Sequence, residues 1–329
     1  MTDGVHPLAD LAGAEGAPDV SASVLTRPDA ALGLVRDGRV RASAALWWRE
    51  PLHVDGAETP VGRIGHVAWE TADDGAAVLD AALGRLRAEG VRRVLGPIDG
   101  STWFAYRVVI DAAPSGGEAA PPFFLEPWPP PAVAAAFDQL GFAPVAHSLS
   151  ARADALPDEA DRLADDLRQL AHVGVTIRPF RPDDAEAELR ALHPLLLDAF
   201  ADNAFYAPLD LDRFLALYRP LLAHVDPDLV LIAEAAGRPV GIVLAVPDLA
   251  QRARGEAVDT VVLKTLAVAS DRRGAGLGGV LARAVQEAAR GKGYTAAVHA
   301  LMHVDNASLR ISRRFGGAIR RYALLGRDL

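Results

Sequence analysis

Cysteine is absent from all 329 residues, which excludes disulfides and thiolate metal sites and suits a reducing compartment such as the cytoplasm. Lysine is nearly absent: Lys264 and Lys292 are two among 34 basic residues, so arginine supplies almost all positive charge. No apolar run reaches the length of a membrane span, and residues 1–20 lack the basic start and apolar core of a secretory leader. The acidic excess gives a net charge of −9, which argues against general nucleic-acid binding. What is left is a chain that is 50% hydrophobic and 23% charged, an ordinary soluble composition long enough for two domains with separate cores. A cytoplasmic protein is expected, with neither membrane nor nucleic acid as partner; monomer and homodimer both stay open.

The organising stretch is Thr260 to Arg290. An apolar β-type run, Thr260 to Val268, leads through the polar elbow Ala269-Ser270-Asp271-Arg272 into Arg273-Gly274-Ala275-Gly276-Leu277-Gly278-Gly279. A helix follows, with Leu277, Leu281, Ala284, Val285 and Ala288 on one face and Gly291 as its stop. Strand, glycine turn and helix start together make an anion site. Glycines let successive N–H groups point into one concavity, and the helix adds unpaired amides and the positive end of its dipole. A pyrophosphate is the natural guest.

Gly274-x-Gly276-x-x-Gly279 matches the dinucleotide fingerprint, which wants an acid about 20 residues later at the end of the next strand. Thr295 to Ala300 contains none, and about 50 residues are too few to complete that fold. The alternative is more specific. Arg273-x-x-Gly276-x-Gly278, placed after Leu266-x-Val268, resembles the acyl-CoA-binding signature of the GNAT acyltransferase superfamily. Downstream, a strand from Thr295 to Met302, Asn306, a helix, and Phe315-Gly316-Gly317 agree with that resemblance. Two departures stand out: Ser312 occupies the usual tyrosine position, and Gly317 that of the phenylalanine.

The N-terminal half reads as the same parts in the same order. Residues 1–20 form a loose lead-in. Ala31–Val35 and Arg39–Trp48 flank Asp37-Gly38 as a hairpin. A strand near Ile64–Glu70, a helix from Gly75 to Glu89, a strand at Val91–Leu95, a helix at Ala132–Leu140 and a strand at Val145–Ala151 follow. This order implies an internal duplication. The turn Thr71–Gly75 lacks the glycine series and puts Asp73 and Asp74 where phosphate oxygens would sit, so this copy is expected to be degenerate and non-catalytic. Gly96 to Pro131, rich in aromatics beside Pro and Gly, reads as a domain interface or core, with an acceptor pocket as the functional alternative.

The fold class is therefore α/β (α+β): two tandem GNAT-like domains, each a mixed, mostly antiparallel twisted sheet flanked by helices. The expected boundaries are 1–152 for the degenerate copy, 153–173 for a linker helix and 174–329 for the acyl-CoA-binding domain. Asp202-Asn203-x-x-Tyr206-x-Pro208, Gly241 to Gln251, and Lys264-Thr265 also resemble a tandem GNAT group whose acceptors the resemblance does not supply.

By that resemblance the protein is an acyl-CoA-dependent N-acyltransferase, with acetyl-CoA the default donor and the amine of a small molecule or peptide as acceptor. Leu266, Ala267 and Val268 would pair with pantetheine, Arg273, Gly274, Ala275, Gly276, Leu277 and Gly278 would bind the diphosphate, and Asn306 would assist. The thioester is already activated, so the enzyme mainly positions it and moves protons. Tyr322, Lys264 and Ser312 are candidates for that proton chemistry; Asn203, Tyr206, Glu234 and Asp248 are candidates for the acceptor side. Arg310, Arg313, Arg314, Arg320 and Arg321 form either a solvated face or a contact for the 3′-phosphate. His299 and His303, about 13 Å apart along a strand, cannot share an ion, so no metal is expected. A non-catalytic acyl-CoA sensor and a protein-docking module remain as alternatives.

Overall fold

In the computed structural model, the described residues are 2–11, 14–18, 25–54, 57–305, 309, 312 and 316–329. In chain order the N-terminal half comprises strands β1 (Gly4–Pro7), β2 (Ala30–Arg36), β3 (Arg39–Trp47), β4 (Leu52–Val54), β5 (Ala57–Thr59) and β6 (Gly62–Trp69). Helix α1 (Ala72–Ala88), β7 (Arg93–Gly96), β8 (Val108–Asp111), α2 (Pro131–Gln139) and β9 (Ala143–Ala153) complete it. After α3 (Ala160–His172) come β10 (Val175–Pro179), α4 (Ala185–Phe200), α5 (Leu211–Tyr218), β11 (Val230–Ala235) and β12 (Arg238–Pro247). A short α6 (Leu249–Ala253), β13 (Thr260–Val268), α7 (Leu277–Gly291), β14 (Ala296–His303) and β15 (Gly317–Asp328) end the chain.

One continuous sheet crosses both halves in the order β1-β2-β3-β6-β7-β15-β9-β14-β13-β12-β11-β10, with β8 added against β15. The halves therefore exchange their last strands. β15 lies between β7 and β9, while β9 of the first half pairs with β14 of the second. In each half one parallel pair interrupts the antiparallel order: β6 with β7, and β13 with β14. A parallel pair needs a crossover, and α1 and α7 supply it.

The cores follow the amphipathic faces. Val78, Leu79, Leu83 and Leu86 of α1 meet Phe137 of α2 over Ile64 and Val94. In the second half Leu192, Leu196 and Phe214 cover one face of the sheet, against Ile232, Ile242 and Val262. Leu277, Leu281 and Val285 of α7 cover the other, against Val243, Val261 and Leu263.

Several sequence expectations shift. The lead-in is partly structured: β1 pairs with β2, and a 3₁₀ turn at Leu8–Leu11 buries both leucines. Helix α1 starts at Ala72, so Asp73 and Asp74 lie in its first turn rather than in a preceding loop. At the end of α7, Gly291 is the last helical residue, and Gly293 takes the left-handed conformation.

Gly316 marks the crossing of the exchanged strands, where a Cβ would overlap the carbonyl of Arg152 on β9. Gly316→Ala should cost at least about 2 kcal/mol. Gly84, within α1 and facing open space, should stabilise by roughly 0.5–1 kcal/mol as Ala. Thermal unfolding of the two variants checks this opposition; equal melting temperatures would contradict the crossing geometry.

Candidate functional site

Strands β13 and β14 are in register from Thr260–Ala296 to Leu263–His299 and then part. Lys264 falls in a bulge of β13, between the pairs Leu244–Thr265 and Ala245–Leu263 with β12. The extra residue adds local twist. On the other side, β14 is irregular against β9 between His299 and Met302. Leu301 there is left-handed at φ +58° and its N–H donates to Ser150 Oγ at 3.1 Å. From Lys264 to Val268 the β14-facing edge of β13 pairs with no strand among the described residues.

At the end of that edge sits the glycine loop. Gly274 and Gly276 both have φ +83°, which L-residues rarely adopt, and a Cβ on either would meet only open space. Gly276 is the N-cap of α7 and offers no side-chain cap; Gly279 N bonds Gly276 O at 2.9 Å, and the amides of Leu277 and Gly278 are left for another acceptor. The loop is pinned from behind by α4. The Asp198 carboxylate accepts from Ser270 N at 2.7 Å and from Ser270 Oγ at 2.8 Å, and these bonds hold it below the usual Asp range. Arg273 reaches the same helix end, donating to Ala199 O at 2.8 Å and pairing with Asp202 at 2.6 Å. Its guanidinium is thus turned onto the end of α4, and the concavity is lined by backbone.

The equivalent helix start in the first half is closed. Thr71 caps α1 by accepting from Asp74 N, Asp74 pairs with Arg36 at 3.1 Å, and the Trp69 indole wedges against Gly75 and bonds Ala132 O at 3.0 Å. Ile98 N bonds Ile64 O at 2.8 Å, carrying the chain across the opening beyond β7.

The gap between β13 and β14 is lined by groups from both halves. Lys264 Nζ donates to Leu125 O at 3.0 Å. Loss of solvent pulls its pKa down to about 8; the Arg107 charge adds to this and Glu126 opposes it. Glu126 has no exposed side-chain surface and pairs with the equally buried Arg320 at 2.9 Å; it also accepts from the Tyr322 hydroxyl. Tyr322 lies 3.1 Å from Ser150 Oγ, and burial, with the Glu126 charge, raises its pKa. His299, at the last paired register, is pushed down to about 4 by burial and stays neutral.

The remaining predicted residues scatter. Asp248 caps α6 and accepts Phe124 N at 2.7 Å, so it touches the strap that also meets Lys264. Asn203 and Tyr206 occupy the turn after α4. Tyr206 is buried beside Trp103, which raises its pKa to about 12 through loss of solvent. Trp103 of the first half also bonds Ala207 O at 2.8 Å. Glu234 sits two strands away on β11, bonded to Arg178 at 2.6 Å, which lowers its pKa. Ser312 is buried, and its hydroxyl has no hydrogen-bond partner among the described residues. Asn306, Arg310, Arg313 and Arg314 lie outside the described residues. Arg320 leaves the expected surface cluster: it is fully buried, with Glu126 and the carbonyls of Ala112 and Ala120 as partners. Sequence reading missed Arg107, Glu126 and Ser150. The usable signal was the lone acid in the aromatic run Pro121–Trp128, which burial obliges to find a cation.

Residues 189–316 match the family model of the acetyltransferase (GNAT) family. The chain carries a GNAT domain. Among solved structures, a GCN5-related N-acetyltransferase from Sphaerobacter thermophilus aligns at TM-score 0.50 and 16% identity, over 91% of this chain and 80% of its own. The glucosamine N-acetyltransferase region of a fungal multi-domain β-N-acetylglucosaminidase aligns at 0.55 and 16%, over 93% and 34%. A candidate N-acyltransferase from Enterococcus faecalis aligns at 0.54 and 11%, over 100% and 73%. At such identities the likeness speaks for the fold alone, and no curated protein matched. The glycine loop, the parted strands and all of α7 fall inside the matched GNAT segment.

With two lysines in the chain, reductive ¹³C-methylation gives two lysine signals, assigned by Lys264→Arg. Lys264 should titrate near pH 8, and Lys292 above an ordinary lysine because Asp228 and Asp226 hold it at 2.8 and 2.9 Å. A Lys264 midpoint at the ordinary value of about 10.4 would contradict the burial described.

Proposed function

We propose that the GNAT domain is an acyl-CoA-dependent N-acyltransferase site, with acetyl-CoA as donor and the amine of a small molecule or peptide as acceptor. The observation that carries this reading is the parting of β13 from β14 directly beside an uncapped helix start. Backbone amides from Gly274 to Gly278, at the positive end of α7, suit a diphosphate. Arg273 holds the loop to α4 rather than reaching over it. The free edge Leu266–Val268 supplies backbone donors and acceptors for pantetheine, and the gap beyond Leu263 gives the thioester a place beside Lys264.

The acceptor amine must arrive neutral or lose its proton there. It then attacks the thioester carbonyl: the C–N bond forms, the C–S bond breaks, and the thiolate leaves. Backbone N–H groups on the open edge of β13 can stabilise the oxyanion. Lys264, with its midpoint about 8, exchanges protons at physiological pH and is assigned the proton transfer at the gap. Tyr322, bonded to Glu126 and to Ser150 Oγ at 3.1 Å, is assigned a supporting role beside it. Asn203, Tyr206 and Asp248 are assigned to the acceptor side, and Ser312 to a hydrogen-bonding role in place of a tyrosine acid. The first half is assigned no acyl-CoA, because Thr71, Asp74 and Trp69 already occupy the helix start.

Thiol release from acetyl-CoA across amino acids, polyamines, amino sugars, aminoglycosides and peptides should show a rate that depends on the amine. Binding without any such rate favours the sensor reading; absence of binding contradicts both. Gly276→Val, which strains a left-handed position and roofs the amides, should weaken acetyl-CoA at least about tenfold. Thr71→Ala should leave the affinity unchanged. Calorimetric titration of the two variants decides between the two halves.

A further inference from the structure

The segment joining β8 to α2 crosses from the N-terminal half into the gap of the GNAT domain. Its turn Phe123–Glu126 makes a contact there at almost every residue. Phe124 N donates to Asp248, Leu125 O accepts from Lys264, and the Glu126 carboxylate receives Arg320 and the Tyr322 hydroxyl. Glu126 also closes its own turn by accepting Phe123 N at 3.1 Å. Leu125 is held left-handed at φ +62°, a conformation that costs a leucine about 1 kcal/mol or more and persists where surroundings enforce it. A buried ion pair such as Glu126–Arg320 adds little net stability, because desolvation offsets the attraction. Its evident product is geometric: one carboxylate fixes a turn, a tyrosine hydroxyl and the carbonyl that meets Lys264.

We propose that Glu126 is a positioning residue for the acyl-transfer site, contributed by the N-terminal half: it orients Tyr322 and presents the Leu125 carbonyl to Lys264. The inference rests on the gap between β13 and β14 being that site. It gives the first half a part in the chemistry without a ligand of its own. The charges around Lys264 are Arg107 before β8 and Glu126 on the turn, with Arg320 and Tyr322 on β15 behind Glu126; His299 and His303 belong to β14. Arg107 lowers the proton affinity of Lys264 and Glu126 raises it, so loss of the carboxylate charge moves Lys264 further down.

Two variants separate charge from position. In Glu126→Gln the Lys264 midpoint, read from the ¹³C-methyl-lysine signal, should fall by roughly 0.5–1 pH unit while Lys292 stays put. Glu126→Asp keeps the charge but withdraws the carboxylate by one methylene. It should preserve the midpoint and lower kcat at least tenfold, leaving KM for acetyl-CoA unchanged. The kcat assay uses acetyl-CoA with the amine that the unaltered protein turns over fastest. A folded Glu126→Gln protein with an unmoved midpoint overturns the proposal. So does a Glu126→Asp protein with unaltered kcat, and this second test holds should the Gln variant not fold. If the unaltered protein turns over no amine, the acyltransferase reading fails and takes this proposal with it; turnover with unaffected variants sinks the proposal alone.

Discussion

A helix that begins on glycine leaves its first amides for something outside the helix to bond. In α7 that start is Gly276, itself left-handed, reached through the left-handed Gly274 and pinned by the carbonyls and carboxylates at the end of α4. Everything else in the GNAT domain is arranged around the space this leaves. β13 carries a bulge at Lys264 and β14 an irregularity around Leu301 where the two strands stop pairing, and the exposed edge leads from the amides to the gap. The first half shows how the same frame is closed. A threonine cap, two aspartates in the first turn and a tryptophan against Gly75 crowd the start of α1. In both helices the third amide is satisfied, by Thr71 Oγ1 in α1 and by Gly276 O in α7, so the contrast lies in the side chains that surround one start and are missing at the other.

Strand exchange gives the closed half a structural hold on the open one. With β15 between β7 and β9, the cores on either side share a hydrogen-bonded seam, and Tyr322 and Arg320 on β15 hold Glu126 from that seam. The link between β8 and α2 adds a second connection. In it Phe124 and Leu125 bond Asp248 and Lys264, and before β8 Trp103 packs with Phe200 and Phe214 and bonds the Ala207 carbonyl. An N-terminal half whose own helix start is crowded by side chains thus still contacts the GNAT domain beside its parted strands.

The local parts of this fold were legible in the sequence. Thr260–Val268 appears with the bounds its apolar run implies, α7 buries the face that 3.6-residue spacing implies though it starts within the glycine series and takes in Gly291, and Asp37-Gly38 forms the hairpin its turn chemistry requires. What periodicity cannot carry is which sheet a strand joins. The exchange of β9 and β15 is a long-range choice, and so is the burial of Arg320: alternation puts it on the opposite face from its exposed neighbour Arg321 but does not say which face is covered. Gly4–Pro7 escaped notice because a short edge strand in a Gly, Ala and Asp context has little hydrophobic pattern. Lys264 was visible as one of two lysines, but its bulge, its carbonyl partner from the other half and its depressed pKa exist only in three dimensions.

Hydrogen–deuterium exchange with and without acetyl-CoA tests the central claim most directly, because it reads the amides themselves. Addition of acetyl-CoA should slow exchange from Arg273 to Gly278 and along Leu266–Val268, and leave Thr71–Gly75 unchanged. Protection confined to Thr71–Gly75, or no protection in either half, would contradict the account.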